Sequence, residues 1–199
     1  MTPRDPLFYR HLIVTVWTAW AVYWLVAAIG TKRTQRRESP RSRLAHVLPL
    51  VAGFLLLGAR SLPWDAVLGM RLWPVSDLLY CVGFALLVCG LGFSVWARVH
   101  LGRNWSGLVT VKEGHELIRT GPYAYARHPI YTGILTGVIG TVICSGTLAA
   151  VLGVVIIAAA LNRKLRIEER LMRETFPGQY ERYCAEVPAL VPFTKSRSL

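Results

Sequence analysis

Residues 115–133 read His115-Glu116-Leu117-Ile118-Arg119-Thr120-Gly121-Pro122-Tyr123-Ala124-Tyr125-Ala126-Arg127-His128-Pro129-Ile130-Tyr131-Thr132-Gly133. The stretch is polar, aromatic and rich in turn formers, and it lies between segments apolar enough to cross a membrane. Ionisable and hydrogen-bonding groups are expensive at a bilayer boundary, so a cluster of them there points to a functional site. The competing reading is an interfacial loop whose Tyr and Arg side chains only anchor helix ends.

Working outward, the apolar run before this stretch covers about 76–97 and ends at Arg98. After it, run four starts near Pro129, a favourable first helical residue, and ends near Cys144-Ser145-Gly146. Run five covers about 147–162. Runs four and five are short, roughly 16 residues or about 24 Å each, which suits a tight helical hairpin. Gly133, Gly137 and Gly140 share a face of run four, and Gly153 with Ala149 offers run five a matching surface of small residues. Such spacing lets membrane helices approach closely, although glycine is also common in membrane helices for no such reason.

Nearer the N-terminus, run one covers about 8–30 and run two about 44–60, the latter holding Pro49, which predicts a kink. Run one is long for a signal peptide, and a stop-transfer cluster of Lys32, Arg33, Arg36, Arg37, Arg41 and Arg43 follows it. About 20 apolar residues cross the hydrocarbon core, so the expectation is an all-α integral membrane protein with about five transmembrane helices. Residues 61–75, with Pro63, Trp64, Trp73 and Pro74, read as an outer loop. Positive charge on 31–43, on 98–127 and on Asn162-Arg163-Lys164-Leu165-Arg166 puts the N-terminus outside and the C-terminus in the cytoplasm.

Composition agrees. The chain has 199 residues, 53% of them hydrophobic and only 17% charged, against about 25% charged in a soluble domain. Its mean hydropathy is +0.40. The net charge of +12 clusters beside the apolar runs, so it is assigned to topology and to anionic lipid head groups. No nucleic-acid-binding motif accompanies it. The four cysteines form no CxxC pair and no zinc-spaced cluster, so neither a metal nor a disulfide is expected. One domain is expected, with a three-span region over 1–97 and a catalytic region over 98–199.

Run five continues as an amphipathic helix over 161–176. Leu161, Leu165 and Met172 mark one apolar stripe, and Glu168 falls on it. Glu169 lies beside Arg166 and Arg173 at helical spacing, which predicts a solvated surface ion pair. A carboxylate facing inward at Glu168 needs a partner, either Lys164 one turn earlier or a bound ligand offering hydroxyl or ammonium groups.

Several strips together resemble the isoprenylcysteine carboxyl methyltransferase family of integral membrane enzymes. They are Leu101-Gly102-Arg103-Asn104-Trp105-Ser106, His115-Glu116-Leu117-Ile118, Gly121-Pro122-Tyr123, Arg127-His128-Pro129-Ile130-Tyr131 with Gly133, and Glu168-Glu169. Phe176, Tyr180, Tyr183, Val187-Pro188 and Val191-Pro192 extend the resemblance, which covers about 98–193. It implies S-adenosylmethionine as methyl donor and S-adenosylhomocysteine as product. It also implies a cytoplasmic donor pocket between the 98–133 connection and the C-terminal helix. Carried over residue by residue, that pocket is His115, Leu117, Ile118, Tyr123, His128, Pro129, Ile130, Tyr131 and Glu168. The implied acceptor is a prenylcysteine-like carboxylate on a lipophilic small molecule or prenylated chain, held by Lys164 or Arg163. Here the chain departs from the family, which has an arginine one turn before the glutamate. Lysine supplies a point charge without the planar, two-pronged fit of arginine to a carboxylate.

The residue types suit the chemistry, because methyl transfer from a sulfonium needs in-line alignment and exclusion of water more than acid–base work. Tyr123 and Tyr131 suit the cationic sulfonium. Other readings are a methyltransferase acting on phospholipid amines or small thiols, an NADPH-dependent membrane reductase, or a transporter. A Rossmann glycine fingerprint is absent, as is an internal repeat.

Overall fold

A run of apolar residues in hydrocarbon has no water to satisfy its backbone, so it closes its own hydrogen bonds as a helix. The computed structural model describes residues 6–29, 34–37, 39–58, 65–74, 76–102, 105, 110–112 and 117–191. Its helices are α1 (Pro6–Ala27), α2 (Pro40–Gly58), the short α3 (Asp65–Leu68), α4 (Asp77–Leu101), α5 (Pro129–Ser145), α6 (Leu148–Thr175) and α7 (Gln179–Glu186). Two strands, β1 (Thr34–Arg37) and β2 (Thr110–Lys112), pair antiparallel. This ribbon is an addition to the all-helical expectation. It joins the two polar connections that the charge pattern had placed on the same side.

Among the described residues, α2, α4 and α6 are long and apolar enough to cross a membrane, and α5 is apolar but shorter. α1 has 22 residues, of which Trp17, Trp20, Tyr23 and Trp24 give it an aromatic character. The helices begin where sequence capping rules place them. Ser76 caps α4, with the Leu79 N–H donating to its Oγ at 3.3 Å. Pro129 opens α5, and Thr147 caps α6 with the Ala150 N–H donating to Oγ1 at 3.3 Å. α5 stops at Gly146, whose φ of +64° admits the left-handed turn into α6. Met70 and Leu72 close over that turn by backbone bonds to Leu148 and Gly146. α6 is one helix from membrane span to polar end, so the amphipathic continuation over 161–176 is borne out.

The glycine surfaces find partners other than those expected. α5 lies mainly against α4, and α6 against α2, while α5 and α6 share a smaller contact. A Cβ at Gly90 would lie 2.6 Å from the Gly133 carbonyl oxygen, and one at Gly83 would lie 2.6 Å from that of Gly140. Gly153 faces Gly53 of α2 at similarly close range. The small residues thus serve two crossings between distant segments, and the hairpin is held by its turn. Gly133→Leu is expected to destabilise the bundle by about 3 kcal/mol or more, since the clash is with backbone that cannot give way. Gly92→Leu, where an added Cβ meets nothing within 4 Å, is its control. Equal detergent-extracted, monodisperse yields of the two variants would show that the α4–α5 crossing is looser than described.

α1 docks through indoles whose N–H groups find hydroxyls inside the bundle. Trp17 Nε1 donates to Thr141 Oγ1 at 3.1 Å and Trp20 Nε1 to Ser94 Oγ at 2.8 Å. Satisfying those donors is what allows aromatic residues at membrane depth. The core runs from Ile157 and Val138 down through Ile134, Tyr131, Ile130 and Leu165 to Tyr123 and Trp105. Its polar end carries the site.

Candidate active site

Two strips far apart in sequence converge at the start of α5 and the polar end of α6. Pro129 begins α5, which leaves His128 at its N-cap, with Arg127 just before it and Tyr131 in the first turn. Nearly two turns before the end of α6 stand Glu168 and Glu169. Successive helical residues point about 100° apart. His128 fits between the two carboxylates. Its Nδ1 lies 3.6 Å from Glu168 Oε2 and its Nε2 lies 3.4 Å from Glu169 Oε1. Both separations are long for hydrogen bonds, and the buried Nε2 makes none.

Glu168 is the accessible member of the pair, with its side chain 22% exposed. Tyr131 donates its hydroxyl to Glu168 Oε1 at 2.6 Å, and Lys164 Nζ lies 3.9 Å from the same oxygen. Lys164 also sits 5.5 Å over the Tyr131 ring, and that ring stacks on the His128 imidazole at 5.5 Å. Lys164, one of the two partners considered for Glu168, is therefore beside it; His128 shares the site as the resemblance implied, and the Tyr131 hydroxyl is a further partner.

Glu169 corrects the expectation of a surface ion pair. Its side chain is only 2% exposed, and that of Arg127 is 3% exposed. Arg127 Nε and NH2 donate to Glu169 Oε1 at 2.9 and 2.6 Å, and Arg173 NH2 lies 3.6 Å from Oε2. The reason is tertiary. α7 and the segment after it fold back over the face of α6 that helical periodicity assigned to solvent. Arg127 NH1 donates to the Cys184 carbonyl at 3.2 Å and to that of Val187. The backbone N–H groups of Arg127 and His128 donate to Pro188 and Ala189 at 2.9 Å each. Thr132 Oγ1 completes the strap with a bond to the Leu190 carbonyl at 2.6 Å. Arg127 stood in the motif but carried no assigned role, and adjacency to His128 was its only sequence signal.

The remaining candidates divide. Tyr123 is buried in a turn of 3-10 helix, its carbonyl accepting the Tyr183 hydroxyl at 2.5 Å, and His100 stacks beside its ring at 6.4 Å. Pro129 and Ile130 are buried in the first turn of α5. Ile118 packs on the main core, whereas Leu117 packs on the Tyr180–Tyr183 cluster of α7. Arg163 is turned away, toward Ser42 of α2 at 3.5 Å. His115 lies outside the described residues, as do Arg103, Asn104 and Ser106. No group of three His, Cys, Asp or Glu side chains placed to hold a metal occurs among the described residues.

Charge compensation sets the state of His128. Burial alone would push its pKa down, but Glu168 and then Glu169 outweigh burial and raise it above its ordinary 6.5. A raised folded-state value stabilises the fold fully below the unfolded pKa of about 6.5, and the stabilisation fades as pH climbs through the folded value. The thermal midpoint of the detergent-solubilised protein is therefore expected to decline as pH rises above about 6.5, with a shallower decline in His128→Gln. Identical slopes in the two proteins would mean the imidazole is neutral in the fold.

Residues 82–174 match the model of the isoprenylcysteine carboxyl methyltransferase (ICMT) family. Protein-S-isoprenylcysteine O-methyltransferase B of Arabidopsis thaliana is 29% identical over 124 residues, covering 61% of this chain and 61% of that protein. The cobalt-zinc-cadmium resistance protein CzcN of Cupriavidus metallidurans is 32% identical over 149 residues, covering 73% of this chain and 60% of that protein. The solved eukaryotic intramembrane Ras methyltransferase ICMT superposes with a TM-score of 0.51 at 25% identity, over 82% of this chain and 56% of that one. The chain thus spans little more than half the length of the relatives it matches.

Proposed function

We propose that the chain is a member of the isoprenylcysteine carboxyl methyltransferase family, whose model matches residues 82–174, and that it methylates the carboxylate of a lipophilic, prenylcysteine-like acceptor. S-adenosylmethionine is the donor in this reading, and the reaction takes place at the cytoplasmic face of the membrane. The observation that carries it is the convergence of the 127–131 strip with Glu168, a buried imidazole flanked by two carboxylates and stacked on a tyrosine.

The residues present suit such a donor. His128 Nε2 is a buried nitrogen without a hydrogen bond, which calls for a ligand or water. Glu168 is oriented by Tyr131 and Lys164 yet keeps part of its surface accessible. When bound, the donor supplies an electrophilic methyl group. Glu168 holds its hydroxyl or amino groups, Tyr131 and Tyr123 offer ring faces to its positive charge, and Leu117, Ile118 and Ile130 keep water out. His115 belongs to the same set by family resemblance. Lys164, on the edge of the site, contributes positive potential toward an anionic acceptor. Arg163 shares that role only through the field of the basic end of α6.

Titration with S-adenosylhomocysteine, followed by product analysis with labelled donor, tests this. Transfer to prenylcysteine above transfer to phospholipid amines and small thiols is expected. No binding of donor or by-product by well-folded protein would end the proposal, and transfer to an amine or thiol alone would reassign the acceptor.

A further inference from the structure

Among the described residues, one buried cation of the bundle has no counter-charge. Arg98, in the last turn of α4, is 6% exposed. Its NH1 donates to the Gly102 carbonyl at 2.8 Å and its NH2 to the Ala27 carbonyl, while Nε–H makes no hydrogen bond. Among the described residues no carboxylate pairs with it. Lys164, by contrast, is already beside Glu168. A buried charge left in this state is costly, and an anionic oxygen on the Nε edge would offset that cost.

From Arg98 an unbroken series of ring contacts leads along α1. The guanidinium lies 4.3 Å over the Trp105 ring. Trp105 meets Trp24 edge to face at 5.8 Å, Trp24 stacks on Trp20 at 4.6 Å, and Trp20 meets Trp17 at 5.7 Å. Trp17 and Trp20 then wall a cavity of about 500 Å³ that Phe54 and Ala21 also line. Small-ligand cavities run from about 300 to about 1,000 Å³. The indole N–H groups of Trp17 and Trp20 are already bonded to Thr141 and Ser94, so the rings offer hydrocarbon surface. At the other end, burial, Tyr183 and Glu168 all raise the pKa of the Tyr123 phenol, and Arg98 opposes them. Arg98 and Glu168 therefore act on the same phenol.

We propose that Arg98 and the Trp105–Trp24–Trp20–Trp17 column form the acceptor's binding track. The anionic head rests on the free Nε edge of Arg98, and a long hydrocarbon chain lies along the column with its end in the cavity. This rests on the methyltransferase reading, and it names what that reading leaves open: the group that holds the acceptor and the length of chain it selects.

The test uses the full chain in lipid nanodiscs, with S-geranyl, S-farnesyl and S-geranylgeranyl N-acetylcysteine as probes. Ala21 is exposed at the cavity rim, so Ala21→Phe fills space without disturbing the core. It is expected to raise KM about tenfold for the longer chains and to leave the geranyl compound and S-adenosylhomocysteine affinity unchanged. Arg98→Lys is expected to raise KM for every probe about tenfold, with kcat and by-product affinity within about twofold. Should that variant fold poorly, a measurement on the unaltered protein substitutes for it: an acceptor with a brominated hydrocarbon chain, but not S-adenosylhomocysteine, is expected to quench indole fluorescence. Transfer that is indifferent to Ala21→Phe, or fluorescence indifferent to the brominated acceptor, overturns the track alone. Absence of by-product binding and of any transfer overturns the methyltransferase reading beneath it.

Discussion

Arg127→Ala is expected to cost about 3–5 kcal/mol of stability, because it strands the Glu169 carboxylate in the interior without its counter-ion. The expectation rests on burial. Both side chains are almost fully enclosed, and the guanidinium makes two short bonds to one carboxylate oxygen. The loss extends beyond the pair, since the same side chain holds the Cys184 and Val187 carbonyls and so fixes the strap over α6. Arg173, 3.6 Å from Glu169 and more exposed, is a poor substitute. The double variant Arg127→Met with Glu169→Leu is expected to regain the part of the loss due to the stranded charge and not the part due to the Cys184 and Val187 carbonyls, to which Met donates nothing. Denaturant titration in detergent, with proteolysis at the 187–191 strap as a second readout, checks this. A single-variant cost below about 1 kcal/mol would show that water reaches the pair.

Glu168→Ala is expected to act on function. Its carboxylate is the exposed member of the pair, held by the Tyr131 hydroxyl at 2.6 Å and poised beside His128. A hydrogen bond from a ligand to a charged group contributes about 1.5–3 kcal/mol, so S-adenosylhomocysteine affinity is expected to fall roughly 10- to 150-fold. Glu168→Gln, which keeps an acceptor oxygen without the charge, is expected to fall between the two. Stability is expected to change far less than in Arg127→Ala, since part of the removed charge already faces solvent. By-product affinity unchanged in Glu168→Ala would take this residue out of the donor site while leaving the fold intact. A large loss of stability instead of affinity would give it the structural role that Glu169 holds.

The contrast between these adjacent glutamates shows where sequence reasoning reached and where it stopped. Helical periodicity placed Glu168 on the inner stripe, and it does meet His128 and Tyr131 there. The same periodicity sent Glu169 to solvent, because a single helix seen alone has one buried face. The segment from α7 to Leu190 covers a second face, and no pattern within 161–176 reports that cover. The glycines tell a similar story. Their spacing marked close helix contacts, but it named the wrong neighbours, since a stripe of small residues says that something approaches without saying what. The pairing of β1 with β2 was equally invisible, being a contact between two connections rather than a period within one.

By itself the amino-acid sequence determined the membrane class, the helical starts at Pro129 and Thr147, the continuity of α6 and the family resemblance, because each depends on hydropathy, capping chemistry or motif within a few turns of chain. Only tertiary structure decided which glycines meet, that Arg127 and Glu169 are a buried pair, and that Arg98 is buried at the foot of a tryptophan column with its Nε–H unbonded. Those outcomes hang on which surfaces exclude water from one another, and that exclusion is a property of the assembled bundle, not of any segment in it.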